Sequence, residues 1–404
     1  MPAADRAEVE KLDVSDPLAA FRGRFEWPDP GLVYLDGNSL GMLPAAALAR
    51  AQHVLAQEWG QRLIQAWYSG WLEQPARVGD LLGSQLLGAA PGQVVVADST
   101  TVNFYKLAAA ALDARPGRPV IVSAAADFPT DRYVLAGLAA ARGLELRLVG
   151  SAETSGLTAA ALAGAVDERT ALVALSHVDY RSAAVADLPG ITALAHRAGA
   201  LALWDLSHSA GTLPVGLDAS GADLAVGCSY KYLNGGPGAP SFLYVRAEHQ
   251  ASLRQPIWGW FGQRDQFDMG PEYDPVPDVN RFLVGTPPIL GLALVEEGVR
   301  LLAEAGLPRL RAKAVALTSL LVDCYDRWLA PLGFGLASPR DPAGRGSHVS
   351  LAHPDAERLR GELVRHGIVP DFRRPDRLRF GLAPLTTRFV DVWDAMDRLR
   401  SLVA

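Results

Sequence analysis

Leu201-Ala202-Leu203-Trp204-Asp205-Leu206-Ser207-His208 and, further on, Ala222-Asp223-Leu224-Ala225-Val226-Gly227-Cys228-Ser229-Tyr230-Lys231 are the stretches whose reading decides the fold. Each opens as a short, largely apolar run without helical periodicity, the pattern of a strand buried on both faces. A carboxylate closes the first run, and a lysine follows the second and leads into the Gly235-Gly236-Pro237-Gly238 turn. Outward from this pair, apolar runs recur at 94–97, 119–123, 144–149, 172–176 and 242–245, alongside 201–204 and 222–227. Ala- and Leu-rich helical stretches such as 103–113 and 191–198 lie between most of them. This alternation predicts an α/β fold, a mostly parallel sheet flanked by helices, with ligands held at the carboxyl ends of the strands. Polar residues gather at those ends: Ser99, Thr100 and Thr101, then Asp127 to Asp131, Ser176 to Asp179, Asp205 and Lys231.

After Pro287 the pattern changes to two long helical stretches (291–305 and 310–329) and isolated strand-like runs (348–352 and 378–382). A helix over 355–366 and a final amphipathic helix over 387–403 complete it. This predicts a smaller α+β C-terminal domain packed with the N-terminal arm. The expected boundaries are 48–290 for the large domain and 1–47 with 291–404 for the small one. A chain of 404 residues exceeds the size at which a single core stops growing, in keeping with two units. A net charge of -6 without a long basic run argues against nucleic acid or an anionic membrane as partner and favours a small molecule. The two cysteines, Cys228 and Cys324, give neither a CxxC pair nor a disulfide framework, as suits a reducing cytoplasm. No apolar run is long enough to span a bilayer, the N-terminal segment is charged rather than apolar, and the histidines show no metal-ligand spacing. The expectation is a cytoplasmic protein with no membrane partner and no metal.

A carboxylate and a lysine at neighbouring strand ends suit pyridoxal phosphate. The lysine amine forms a Schiff base with the aldehyde, and the aspartate keeps the pyridinium nitrogen protonated, so that the ring draws electrons out of a substrate. The plainer alternative is an Asp that caps a helix and a Lys that reaches to water. Asp98-Ser99-Thr100-Thr101-Val102-Asn103 follows a strand and opens a helix, so its hydroxyls and free N–H groups can take a phosphate dianion or simply cap the helix. Neither GxxxxGK(S/T) nor GxGxxG stands at a strand-to-helix turn, which leaves nucleotide cradles without support. Phe128-Pro129-Thr130-Asp131 offers either an aromatic face with a carboxylate beside it or a core Phe and a capped turn. His208, close after Asp205, can reach the pocket, whereas His177 reads as a structural histidine.

Together these segments resemble the kynureninase family, within the fold-type-I, aspartate aminotransferase-like pyridoxal phosphate enzymes. The matching stretches are Tyr34-Leu35-Asp36-Gly37-Asn38-Ser39-Leu40-Gly41, Thr101-Val102-Asn103, Phe128-Pro129-Thr130-Asp131, Asp205 with His208, and Ser229-Tyr230-Lys231-Tyr232-Leu233-Asn234. Gly259-Trp260-Phe261-Gly262, Thr286-Pro287-Pro288-Ile289 and Arg379-Phe380-Gly381-Leu382-Ala383-Pro384 follow in the same order. The chain departs from part of the family at Gly285, where some members carry Ser, and at Thr286, where the family has Asn or Thr.

The resemblance implies the fold-type-I transferase fold and hydrolysis of the Cβ–Cγ bond of L-kynurenine to anthranilate and L-alanine in tryptophan catabolism, with 3-hydroxykynurenine as the possible second substrate. Lys231 would carry the Schiff base and remove the α-proton, and Asp205 would hold the pyridinium nitrogen with His208 nearby. Phe128 would stack on the ring, Asp131 and Ser176 would line it, and Thr100, Thr101 and Tyr230 would reach the phosphate. Trp260 and Thr286 would come from the other subunit of a homodimer with shared active sites. Arg379 would take the substrate α-carboxylate, with Asn38 and Ser39 beside it. Tyr230 is either an acid/base at the carbon–carbon bond or only a phosphate ligand. The alternatives are another amino-acid lyase or aminotransferase of the same fold, or a non-catalytic binder, which would be expected to have lost Lys231 or Arg379. A cysteine desulfurase needs a nucleophilic cysteine on a mobile loop, and neither Cys228 nor Cys324 suits.

Overall fold

The structure is a computed structural model that describes residues 5–150 and 154–403. Strand β1 (Val33–Tyr34) lies in the N-terminal arm. The next seven are β2 (Val94–Val96), β3 (Val120–Ala124), β4 (Glu145–Val149), β5 (Thr170–Ser176), β6 (Leu201–Asp205), β7 (Leu224–Gly227) and β8 (Phe242–Val245). They form one sheet in the order β2-β8-β7-β6-β5-β3-β4. The pairs β3–β4, β3–β5, β5–β6 and β6–β7 are parallel, and only β8 runs against its neighbours β7 and β2. The expected mostly parallel sheet is therefore present. At the reversal, residues 228–241 cross from β7 to β8 without the helix that usually carries a parallel crossover.

Both faces of this sheet are covered, which is why its strands read as continuous apolar runs. Along β6, Ala202 and Trp204 pack on one side and Leu201 and Leu203 on the other. The first side meets helices Gln74–Leu82, Leu188–Arg197 and Ile289–Ala305 through Val78, Ile191 and Val295. The second meets helices Thr100–Asp113 and Pro129–Arg142 through Phe104, Leu107 and Leu135. Each such apolar side chain contributes roughly 2 kcal/mol on burial. Trp204 adds a hydrogen bond from its indole N–H to Thr192 Oγ1 at 3.0 Å, so its one polar atom is satisfied in the core.

The remaining strands are β9 (Gly335–Leu336), β10 (His348–Ala352), β11 (Ile368–Val369), β12 (Asp371–Arg373) and β13 (Arg377–Gly381). Four of them form an antiparallel sheet in the order β12-β13-β10-β9, while β11 pairs in parallel with β1. The N-terminal helix Arg6–Val14 lies on the C-terminal helix Phe389–Ser401. The Asp13 carboxylate accepts from the Phe389 and Val390 N–H groups at 2.7 and 3.0 Å, capping donors that a helix start leaves open. The segment after β1 joins the end of β13, with Gly381 N–H donating to the Leu35 carbonyl at 2.6 Å. That join carries Asn38 and Ser39 to the neighbourhood of Arg379. Sequence patterning expected one helix over 310–329; it runs instead over Leu307–Cys324, with tighter and looser turns beyond. Strands β1, β9, β11 and β12 span two or three residues each, too few for any periodicity to show.

Candidate active site

The carboxyl ends of β3, β5 and β6, the loop after β7 and the start of helix Thr100–Asp113 converge on a cavity of about 180 Å³. Thr100, Thr101, Phe128, Asp131, Ser176, Asp205, His208, Tyr230 and Lys231 all line it. A larger cavity of about 370 Å³ next to it, which Asp127 lines, shares Ser176 as a wall but contains no lysine.

The lysines of this chain are Lys11, Lys106, Lys231 and Lys313. Lys106 is buried against Asp98 at 2.7 Å, Lys313 against Asp16 at 2.6 Å, and Lys11 is exposed on the first helix. Only Lys231 brings its amine to the cavity. Its Nζ lies 2.9 Å from His208 Nε2 and 6.0 Å from the ring centres of Phe128 and Tyr230. Burial, reinforced by the positive charge of Lys231, holds His208 well below the ordinary histidine range and therefore neutral. When Nε2 accepts from the Lys231 amine, the ring proton sits on Nδ1, an atom with no partner among the described residues.

Asp205 ends β6, and its Oδ1 accepts the Ser207 N–H at 2.7 Å. Two further carboxylates lie beside it. Burial, followed by the charge of Asp205, pushes Asp131 well above the carboxylate range, and its Oδ2 has no hydrogen-bond partner among the described residues. Asp127 is pushed up to about 7, chiefly by burial and then by Asp179 and Asp205, although the Ser176 N–H donates to it at 3.2 Å. Three buried carboxyl groups with one orphaned oxygen fit a group that brings a protonated ring nitrogen.

The opposite wall suits an anion. Ser99 caps helix Thr100–Asp113, its Oγ accepting from Val102 N–H at 3.4 Å, so the free N–H groups of the first turn open toward the cavity. Burial raises the Tyr230 phenol, which stays protonated and able to donate. Phe128 is 39% exposed, edge-on to Tyr180 at 5.2 Å, so it offers an open aromatic face and is not a core residue. Pyridinium carboxylate, lysine amine, aromatic face and dianion site thus lie around one space, and the residues fit pyridoxal phosphate.

Arg379, Asn38 and Ser39 do not line the cavity but border it. Arg379 is fully buried, donates to the carbonyl of the cavity-lining Tyr180, and reaches Ser39 Oγ at 3.3 Å. Asn38 is fully buried against Gly381, with neither polar atom of its side-chain amide partnered among the described residues. Trp260 and Thr286 are not brought to this cavity: Trp260 packs on Phe261 and Phe267, and Thr286 is exposed. His177 is structural, as expected; its Nδ1 pairs with Ser209 Oγ at 2.9 Å, and burial lowers it to about 4. Cys228 is buried behind the site, its thiol pushed up by desolvation, and Cys324 is buried in a helix, so neither is a poised nucleophile.

The structure adds Thr130, Val178, Tyr180 and Ser207 to the lining, and places the buried His348 ring 5.4 Å from that of His208. Ser207 and Thr130 stand inside segments already singled out, and Tyr180 adjoins the strand-end run 176–179. His348 carries no sequence signal, because β10 reaches the site only through the tertiary packing of the second sheet.

The family model described as "Kynureninase C-terminal domain" matches residues 310–399, and the one described as "Aminotransferase class-V" matches residues 33–331. A kynureninase of Pseudomonas fluorescens is 45% identical over 98% of this chain and 95% of its own length. Among solved structures, the apo cysteine desulfurase of Thermococcus onnurineus NA1 superposes with a TM-score of 0.80 at 20% identity, covering 92% of this chain and 94% of its own. A C-DES mutant with glycine covalently linked to its PLP cofactor superposes with a TM-score of 0.78 at 20% identity, over 98% and 99%. At that identity the structural likeness speaks for the fold alone.

Proposed function

The chain belongs to the kynureninase family, and from that premise we propose how its own residues carry out the hydrolysis of the Cβ–Cγ bond of L-kynurenine to anthranilate and L-alanine. The observation that carries the assignment of roles is the isolation of Lys231. It is the one lysine whose amine enters the cavity, and it enters between a neutral imidazole and the carboxylate cluster.

The cofactor is pyridoxal phosphate, which when bound supplies an electron sink for charge developing at the substrate's α-carbon. Lys231 would hold it through the amine, Asp205 with Asp131 would keep its ring nitrogen protonated, and Phe128 would stack on its face. Thr100, Thr101 and the helix N-terminus would hold its phosphate, with Ser176 along the ring edge. With the cofactor bound, Lys231 Nζ would be the base for the α-proton, and His208 Nε2, at 2.9 Å, would orient that amine and exchange its proton. The high-lying Tyr230 phenol is the proton donor for the carbon or oxygen that gains charge as water attacks the γ-ketone and the bond breaks. Arg379 takes the α-carboxylate, with Ser39 and Asn38 closing that end.

The proposal includes a homodimer in which Trp260 and Thr286 of a second copy complete the phosphate site. In its support, Trp258, Trp260, Phe267 and Met269 are large apolar side chains left exposed. It also includes a cytoplasmic location, which suits two buried free cysteines. The division at 48–290 against 1–47 with 291–404 is likewise proposed, with helix Ile289–Ala305, packed into the core of the large sheet, as the spine joining the two units.

The test is to add L-kynurenine, and in parallel 3-hydroxykynurenine, to cofactor-loaded protein and identify products by anthranilate fluorescence and mass spectrometry. Anthranilate with equal alanine is expected. Pyruvate or a transaminated product in its place would move the residues to another reaction.

A further inference from the structure

Arg379 on β13 stands directly opposite Asp371 on β12 in the antiparallel register, and its side chain has no access to solvent that could substitute for a partner. Asp371 Oδ2 takes both Nε, at 2.9 Å, and Nη2 of the guanidinium. Nη1 donates to the Tyr180 carbonyl, and Nη2 also reaches Ser39 Oγ at 3.3 Å. One edge of the guanidinium is therefore closed by a carboxylate. The Nη1–Nη2 end is turned toward neutral groups at the border of the cavity, which Tyr180 itself lines.

Asp371 is in turn fixed from behind. Its Oδ1 accepts from the Phe372 N–H at 2.7 Å and from Arg373 Nη1 at 3.0 Å. A carboxylate anchored by a main-chain donor and a second arginine is not free to swing away when another anion arrives. Burial alone would push the Arg379 guanidinium down, and the adjacent Asp371 charge opposes that. The hydrogen bonds that Arg379 donates to Tyr180 and Ser39 end on neutral oxygens, which a carboxylate displaces at a gain, since charge-assisted bidentate pairs are the stronger ones.

We propose that Asp371 is the positioning residue of the substrate-carboxylate site: it grips Arg379 by the Nε–Nη2 edge, so that the Nη1–Nη2 end is the one presented to the α-carboxylate. This rests on the assignment of Arg379 given above. Arg379 contacts the substrate, and Asp371 acts through it. The rival role, in which Asp371 is an internal anion competing with the substrate, requires it to abandon anchors on both of its oxygens.

The experiment compares holoenzyme with its Asp371→Asn variant, using L-kynurenine and the decarboxylated analogue kynuramine as probes. The KM for L-kynurenine should rise about 10- to 100-fold, with kcat changed less than about threefold, as expected for a misdirected bidentate contact. Binding of kynuramine, which has no carboxylate, should change less than about twofold. A KM that falls, or equal weakening of both ligands, overturns the proposal. Arg379→Lys, measured alongside, separates the two readings: if it leaves the KM for L-kynurenine unchanged, the carboxylate site itself is misassigned. If Arg379→Lys weakens L-kynurenine and Asp371→Asn does not, only the role of Asp371 fails. Should Asp371→Asn not fold, Arg373→Gln loosens the same carboxylate from its more exposed side, and the same split between the two ligands is expected at lower amplitude.

Discussion

Replacing Asp127 by Asn in cofactor-free protein should remove roughly 2 to 3 kcal/mol of the stability lost between pH 5 and pH 8. Burial, with Asp179 and Asp205 nearby, raises this carboxyl from 3.8 to about 7 in the folded state. The folded protein therefore binds the proton more tightly than the unfolded chain. That contribution to stability is complete below the unfolded value and is lost as pH rises through about 7. At 1.36 kcal/mol for each tenfold change in proton affinity, the whole span is worth about 4 kcal/mol. About 2.5 kcal/mol of it falls between pH 5 and pH 8. Asn fills the same volume, and its carbonyl can still accept the Ser176 N–H that Asp127 accepts at 3.2 Å, so titration is removed with little else. Urea unfolding of both proteins, followed by far-ultraviolet circular dichroism at pH 5, 6, 7 and 8, reads the difference. Parallel pH profiles for parent and variant would refute the reasoning.

Further outcomes follow from the same geometry. Gly381→Ala should cost about 1 to 3 kcal/mol and raise the KM for L-kynurenine, because a Cβ there would stand 1.9 Å from Asn38 Oδ1 and 2.7 Å from the Asn38 backbone nitrogen; unfolding and steady-state kinetics report both. His177→Gln should flatten the acid side of the stability profile by about 2 kcal/mol between pH 7 and pH 5. Burial lowers His177 to about 4, so stability is lost as pH falls below the unfolded histidine value, and Gln retains a partner for Ser209 without titrating. Tyr230→Phe should lower kcat by about 100-fold. A cofactor titration of that variant, with affinity changed less than tenfold, would place the phenol at the reacting bond, whereas loss of affinity alone would make it a phosphate ligand.

The large sheet was legible because its strands are buried on both faces and therefore spell themselves as apolar runs. The cavity was legible for the same reason, since Asp205 and Ser176 sit where those runs stop and Asp131 lies in the first turn of the helix after one. The small sheet was legible only in its two longer strands, expected at 348–352 and 378–382; β12 and β9 are too short for a pattern, and so the pairing of Arg379 with Asp371 could not be read from spacing. The helix expected over 310–329 continues past Cys324 as a wider turn over Tyr325–Leu329, a change of winding that apolar spacing does not reveal. The histidines looked scattered along the chain. Two of them, His196 and His249, meet the buried Asp223 at 2.9 and 2.8 Å on the far end of the sheet, a meeting that depends wholly on the fold. Trp260 and Thr286 are the opposite case. Family resemblance marks them as site residues, whereas the geometry of one chain leaves them outside the cavity.

The most direct test of the account is to reduce the cofactor-loaded protein with borohydride, digest it and locate the phosphopyridoxyl group by mass spectrometry. The account predicts the label on Lys231, in the peptide that carries Ser229-Tyr230-Lys231-Tyr232-Leu233-Asn234. Label on Lys11, Lys106 or Lys313, or no label on any lysine, would contradict it.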